Sequence, residues 1–142
     1  MIQTVTHSAA ETEQFAEHLA ARLRAGDVLF FTGGLGAGKT AFVRGLAKGL
    51  HTTSEVSSPT FALVHEYKGD IPLYHFDMYR VSGLEDLYST GYFDYLEENG
   101  IVAVEWSENI ADYLPAQAIQ IDIRQLGEND REITLSGNER FD

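Results

Sequence analysis

A glycine-rich segment in the N-terminal third of the chain has the residue types and spacing of a phosphate-binding loop. Residues 33–40 read Gly-Gly-Leu-Gly-Ala-Gly-Lys-Thr, which matches the pattern G-x-x-x-x-G-K-[ST] at every fixed position. Glycine leaves backbone amides open to phosphate oxygens, while Lys39 is expected at the β- and γ-phosphates and the Thr40 hydroxyl at Mg²⁺. The residues predicted to contact the nucleotide in this segment are Gly33, Gly34, Leu35, Gly36, Ala37, Gly38, Lys39, Thr40 and Ala41.

The sequence on either side of this loop supports the same interpretation. Asp27 to Thr32 is a short apolar run typical of a buried strand. After the loop, apolar residues recur at helical spacing from Phe42 to Leu50. The alternative is a glycine turn that precedes a helix by chance, but it leaves the agreement of strand, loop and helix unexplained.

A Mg²⁺–nucleotide site also needs a carboxylate at the end of a neighbouring strand. Glu105 follows the apolar run 101–104, and Asp77 ends the run 71–76. Acidic residues at strand ends also serve as helix caps or lie in solvated turns. Because the loop requires such a partner, we predict that Lys39, Asp77 and Glu105 serve catalysis and that Thr40 and Glu105 bind the metal.

Several other polar positions remain open to two interpretations. The hydroxyls of Ser57 to Thr60 either sense the γ-phosphate as a switch segment or cap a strand. Arg80 either adds positive charge to the phosphates or, as composition favours, pairs with an acidic residue. His65 and His75 have no metal-type spacing around them, so we expect hydrogen-bonded strand histidines rather than ligands or bases.

Composition limits the classes of protein to which the chain can belong. Its 142 residues, 44% of them hydrophobic, predict one folded domain spanning 1–142. The net charge of −12 argues against autonomous nucleic-acid binding, and the absence of cysteine excludes disulfides and zinc–sulfur sites. Residues 1–10 do not resemble a signal peptide and no stretch approaches 18 apolar residues, so we expect a cytoplasmic protein with no membrane segment.

The remaining patterns predict an α/β fold with three layers, a mixed, centrally parallel sheet and antiparallel hairpins. A capping box at Ser8 and Glu11 begins a first helix that Gly26 ends. Residues 51–58 are polar and predict a loop. Strands are expected at 61–67, 71–77, 101–105, 118–124 and 131–135, and short helices at 84–87, 92–97 and 109–114.

Four motifs, in this order, resemble the TsaE family, also known as YjeE. They are GGLGAGKT at 33–40, SSPTF at 57–61, HFDMYR at 75–80 and VEW at 104–106. The resemblance extends over about residues 8 to 135 and implies a P-loop ATPase fold. One position departs from the family pattern, because Gly34 stands where an acidic residue is common.

The resemblance also implies a function. Members of this family support threonylcarbamoyl modification of the adenosine next to the anticodon in tRNAs that read codons beginning with A. It implies ATP and Mg²⁺ as cofactors, hydrolysis that supports multiple turnovers, and binding to the TsaB–TsaD heterodimer, with tRNA reached only through that partner. The implied positions are Lys39 and Thr40 at phosphate and Mg²⁺, Glu105 at Mg²⁺, Asp77 at the nucleotide, Thr60 in a switch-like loop, and Thr12 and Arg131 near the adenine.

Two other functions are compatible with a P-loop. A small-molecule kinase would need a second basic site for the phosphoryl acceptor, and the cations after Thr40 do not cluster in sequence. A nucleotide-dependent adaptor would bind ATP without significant turnover, and the sequence shows no obvious residue that positions the attacking water.

Overall fold

A computed structural model describes residues 1–34, 38–59 and 63–141, with the backbone alone for 54–59 and 63. It contains one mixed sheet with helices on both faces, as the sequence predicts. The strands are β1 (Ile2–Thr6), β2 (Val28–Gly33), β3 (Ser54–Pro59), β4 (Leu63–Lys68), β5 (Leu73–Asp77), β6 (Ile101–Glu105), β7 (Ile119–Gln125) and β8 (Arg131–Ser136). The helices are α1 (Ala9–Ala20), α2 (Lys39–Gly49), α3 (Leu84–Ser89) and α4 (Tyr92–Glu97), with a 3-10 helix at Ser107–Tyr113.

In the described ranges the sheet has eight strands, in the order β1-β8-β7-β2-β6-β5-β4-β3. The four central strands β7, β2, β6 and β5 are mutually parallel, so their carboxyl ends meet at one edge. Antiparallel strands flank them on both sides, β8 and β1 beside β7, and β4 and β3 beside β5. Strands β2 and β6 are mostly apolar because helices cover both of their faces, whereas β7 alternates buried apolar residues with partly exposed polar ones.

Two apolar clusters fill the spaces between the sheet and its helices. Alternate strand residues point to opposite faces, so Leu29 and Phe31 of β2 pack with α1 and α2, while Val28 and Phe30 pack with the other helical layer. Leu73 of β5 shares the first cluster. The side chains at the ends of β5 and β6 that share this face therefore lie beside the start of α2.

Helices α1 and α2 approach each other closely because small residues line their contact. A Cβ atom added to Gly45 would lie 2.1 Å from the carbonyl oxygen of Glu13, and one on Gly49 would lie 2.3 Å from that of Glu17. The Ser8 hydroxyl caps α1 by accepting from the Glu11 amide at 3.1 Å. This pairing places α2, and with it the loop that precedes α2, firmly on the sheet.

Some predicted elements need correction. Residues 51–58 are not a loop throughout, because Ser54–Pro59 pairs with β4 as an edge strand. The first helix ends at Ala20 rather than near Gly26. The helix predicted at 109–114 is the 3-10 helix Ser107–Tyr113, kinked at Ile110. Strand β1 was not predicted at all.

None of the helices in the described part of the chain is long and apolar enough to cross a membrane.

Candidate nucleotide site

The predicted site residues meet where the central parallel strands end. Gly33 ends β2, Glu105 ends β6 and Asp77 ends β5. Asp77 and Glu105 occupy paired positions in the parallel register of β5 and β6, so their backbones are direct neighbours. The fold thus brings the glycine loop and both predicted carboxylates to a single edge of the sheet.

The loop begins at a position where only glycine fits. Gly33 has a φ of +112°, and a Cβ atom there would lie 1.9 Å from the carbonyl oxygen of Ile123 on β7. Gly34, by contrast, has open space around it. The first glycine is therefore required by strand packing, independently of any ligand.

At the other end of the loop, the first turn of α2 lacks a side-chain cap. Its N-cap is Gly38, in the left-handed region at φ +95°, whereas Ser8 caps α1. The amides at a helix N-terminus have no intrahelical acceptor and carry partial positive charge. Leaving them without a side-chain partner suits them to an anionic ligand.

Two cavities flank this first turn. One of about 270 Å³ is lined by Lys39 together with Phe31, Thr32, Gly33, Trp106 and Glu108. The other, of about 350 Å³, includes Thr40, His65 and His75 in its lining. Ala41 is buried, so it offers a ligand only its backbone amide.

The electrostatics of Glu105 fit a cation ligand. Burial raises the pKa of this carboxyl. The contact with His75 and the charge of Lys39 together lower the pKa by more than burial raises it, so it lies below the ordinary value of 4.5. Glu105 is thus ionised at neutral pH while only 18% exposed. The Glu105 carboxylate, the Thr40 hydroxyl at the start of α2 and the Asp77 carboxylate are all oxygen donors, the ligand type that Mg²⁺ takes.

His75 is a site residue that the sequence analysis missed. Its Nε2 atom lies 3.2 Å from Oε1 of Glu105, in a side chain that is 14% exposed. Among the described residues this nitrogen has no hydrogen bond of standard geometry, so Glu105 is its close polar contact. The His65 ring stacks on His75 with centroids 5.8 Å apart. Side chains alternate between the two faces of a strand, so positions 75 and 77 of β5 lie on the same face of the sheet as positions 103 and 105 of β6. This alternation indicates that His75 lies near Glu105.

Asp77 and Trp106 shape the rim of the site. An oxygen of Asp77 accepts a hydrogen bond from the Tyr79 amide at 3.0 Å, which fixes the turn after β5. Trp106 follows Glu105 with a left-handed backbone (φ 58°, ψ 41°), a conformation uncommon for an aromatic residue. The rings of Trp106 and Tyr79 contact each other at 4.9 Å between centroids. Arg80, next along the turn, is exposed.

Two side-chain hydrogen bonds join the end of β2 to β7. The Thr32 hydroxyl donates to Asp122 at 2.7 Å, and the Gln120 amide donates to Thr32 at 3.2 Å. Nothing in the sequence alone pairs residues about 90 positions apart. These hydrogen bonds restrain Thr32, the residue before the loop.

The two residues implied for adenine lie beside Gly38, and the Thr12 hydroxyl and Nη1 of Arg131 are hydrogen-bonded within the protein. A Cβ atom on Gly38 would lie 3.9 Å from both Thr12 and Arg131. Thr12 is 1% exposed and its hydroxyl pairs with Thr6 at 2.7 Å, which leaves it unsuited to a direct polar contact with a base. Nη1 of Arg131 donates to the carbonyl oxygens of Gly127, Glu128 and Asp130.

Some predicted residues lie outside the described part of the chain. These are Leu35, Gly36, Ala37 and Thr60. Ser57 and Ser58 belong to β3, whose backbone alone is described.

A mixed sheet with helices on both faces, in which a central strand continues through a glycine loop into a helix, defines a P-loop NTPase fold. Comparison with known proteins places the chain more narrowly. It belongs to the TsaE family, because the family model described as threonylcarbamoyl adenosine biosynthesis protein TsaE matches residues 6–133.

Individual relatives agree with this placement. A protein of Treponema pallidum named tRNA threonylcarbamoyladenosine biosynthesis protein TsaE is 38% identical over 135 residues, covering 95% of this chain and 100% of the relative. The Bacillus subtilis protein of that name is 44% identical, covering 89% and 79%. The crystal structure of Bacillus subtilis YdiB superposes with a TM-score of 0.79 at 37% identity, covering 99% of this chain and 88% of YdiB.

Proposed function

We propose that this chain is a Mg²⁺-dependent ATPase that supports threonylcarbamoyl modification of tRNA by acting on a TsaB–TsaD heterodimer in the cytoplasm. The observation that carries the ATPase proposal is that Lys39, at a helix N-terminus without a side-chain cap, lies close enough to Glu105 for its charge to lower the pKa of that carboxyl. Membership of the TsaE family supports the role in tRNA modification.

Each site residue has a defined part in binding and hydrolysis. The amides at the start of α2 hold phosphate oxygens, and Lys39 places its ammonium at the terminal phosphates. Thr40 and Glu105 would hold Mg²⁺, which supplies charge neutralisation on the phosphate oxygens when bound. His75 lies 3.2 Å from one oxygen of Glu105 and so limits the orientations of the carboxylate that would hold the metal. Asp77 lies beside Glu105 and orients water or metal in the same site.

The effect on tRNA passes through the partner. A net charge of −12 opposes binding of the whole chain to a phosphate backbone at physiological salt. ATP can drive a partner's cycle only if the ATP-bound and product-bound forms bind the partner with different affinity. We therefore expect the partner to bind the ATP form preferentially and to stimulate hydrolysis.

The proposal is tested by reconstituting tRNA modification from purified components over many turnovers. Reactions contain the wild-type chain, Lys39→Ala, Lys48→Ala or no added chain. Lys48 lies on the same helix with a 63% exposed side chain, so it controls for loss of a lysine. We expect sustained modification with the wild type and Lys48→Ala only. Equal yields in all four reactions would contradict the proposal.

A further inference from the structure

A second cleft lies at the edge of the sheet opposite the glycine loop. It is found where α1 has ended and β2 begins, and the segment after β8 closes it. Its volume is about 400 Å³, and it is lined by Ala21, Arg22, Leu23, Arg24, Arg140 and Phe141. None of these residues belongs to the nucleotide site.

Two of the three arginines of this cleft, Arg22 and Arg140, are held in place by each other and by an aromatic ring. Nη1 of Arg140 donates to the backbone oxygen of Arg22 at 3.0 Å, and Nη2 of Arg22 donates to that of Arg140 at 3.1 Å. Both guanidinium groups contact the ring of Phe141, at 4.8 and 5.4 Å from its centroid. A guanidinium stacked in this way keeps N–H groups at its edge for a ligand.

The cleft concentrates positive charge in an acidic protein. Three of the ten lysines and arginines of the chain line it, against a net charge of −12. Asp27 pairs with Arg140 and accepts from the backbone amide of Arg24, so it neutralises one arginine. Within the described ranges, neither Arg22 nor Arg24 has a carboxylate within 4.0 Å of its guanidinium.

We propose that this cleft binds a phosphate group through Arg22 and Arg24. Two guanidinium groups with no carboxylate partner among the described residues match the charge of about −1.5 to −2 on a phosphate monoester at neutral pH, and a planar guanidinium fork matches phosphate oxygens. The phosphate belongs either to a small molecule or to an RNA backbone. This site is separate from the proposed ATPase site and does not depend on it.

The test must distinguish this cleft from the glycine loop, which also presents amides to phosphate. Side-chain Nε–H resonances of Arg22 and Arg24 report on the cleft directly by NMR. Pyrophosphate is titrated into the wild type saturated with Mg²⁺–ADP and, separately, into Lys39→Ala, with sodium chloride at matched ionic strength as the reference. We expect saturable shifts of both resonances in both proteins.

Variants then assign the affinity to the two arginines. Arg24→Ala removes an exposed side chain and leaves the Arg24 backbone contact with Asp27 intact, so it should fold normally. We expect it to weaken pyrophosphate at least fivefold, and the double variant with Arg22→Ala at least tenfold. Arg44→Ala, which removes a 64% exposed arginine on α2, should stay within twofold.

A titration with RNA distinguishes a small-molecule phosphate from an RNA backbone phosphate. A short single-stranded RNA is titrated at low ionic strength and then at rising salt. If the cleft takes a backbone phosphate, the double variant lowers the log–log salt slope by about 1.4, for two lost contacts. Saturation by pyrophosphate with an unchanged RNA slope assigns a small-molecule phosphate. No shift with either probe, or equal affinities for Arg24→Ala and Arg44→Ala, would overturn the proposal.

Discussion

Lys39 begins α2 and Glu105 ends β6, and their opposite charges suit them to bind phosphate and metal respectively. Replacing Lys39 by Ala removes a charge-assisted contact worth about 1.5 to 3 kcal/mol, which corresponds to roughly tenfold to a hundredfold weaker ATP binding. Calorimetric titration measures this, with Lys48→Ala as the matched control and thermal unfolding as the check on folding. Unchanged ATP affinity would remove the P-loop assignment from this residue.

The two carboxylates are separable by conservative variants. Glu105→Gln keeps size and burial but removes the charge, so we expect Mg²⁺-dependent hydrolysis to fall at least tenfold while nucleotide affinity without metal changes little. Asp77→Asn should have the smaller effect on Mg²⁺ dependence. Hydrolysis rates measured across a Mg²⁺ series compare the two. If Asp77→Asn shows the greater loss, the roles of the two residues are reversed.

Glu105 also ties stability to pH. Its pKa in the folded protein lies below the ordinary value of 4.5, so its favourable contacts with His75 and Lys39 contribute fully above that pH. The contribution is lost as pH falls below 4.5 towards the folded-state pKa. Urea unfolding at descending pH should therefore show a steeper loss of stability for the wild type than for Glu105→Gln. Parallel curves would show that these contacts add nothing to folding.

At the scale of elements, helix propensity and packing between α1 and α2 predict opposite effects on stability when Gly45 is replaced by alanine. Alanine favours a helix interior over glycine by about 0.5 to 1 kcal/mol. At Gly45, however, the added methyl group would lie 2.1 Å from a backbone oxygen of α1, which the helices relieve only by separating. We expect Gly45→Ala to lower the free energy of unfolding by about 1 to 3 kcal/mol. Denaturant titration tests this against Gly127→Ala, where the space is open.

The central elements were predictable because burial leaves a strong pattern. The apolar runs that became β2 and β6, and the glycine loop between β2 and α2, follow from local sequence. Strand β3 was missed because its sequence, Ser-Glu-Val-Ser-Ser-Pro, is polar and extends only by pairing with β4. Strand β1 forms at the opposite edge by pairing with β8, a partner more than 120 residues away.

The same distinction applies to the site. Glu105 and Asp77 could be predicted because they end recognisable strands. His75 looked like an ordinary strand residue, and its contact with Glu105 depends on β5 lying parallel to β6 in one particular register. The engagement of the Thr12 hydroxyl by Thr6 likewise depends on how β1 and α1 meet. Local sequence patterns do not predict contacts between elements that are distant in sequence.

At the scale of the molecule, charge sets what the protein can do alone. With a net charge of −12, we expect no retention of tRNA at physiological salt, even with ATP present, because the few phosphate contacts of the arginine cleft are screened. Filter binding or electrophoretic mobility measures this, with a TsaB–TsaD preparation as the positive arm. Tight tRNA binding by the isolated chain would contradict the indirect role proposed here.

The close approach of β7 to Gly33 has a consequence for genetics. A saturation library scored by cell growth would reject nearly every codon at position 33, and the result would invite the conclusion that this residue touches the nucleotide. The structure assigns the intolerance to Ile123, whose carbonyl oxygen occupies the space a side chain would need. Position 34 has open space around it, so a side chain there meets no such obstacle.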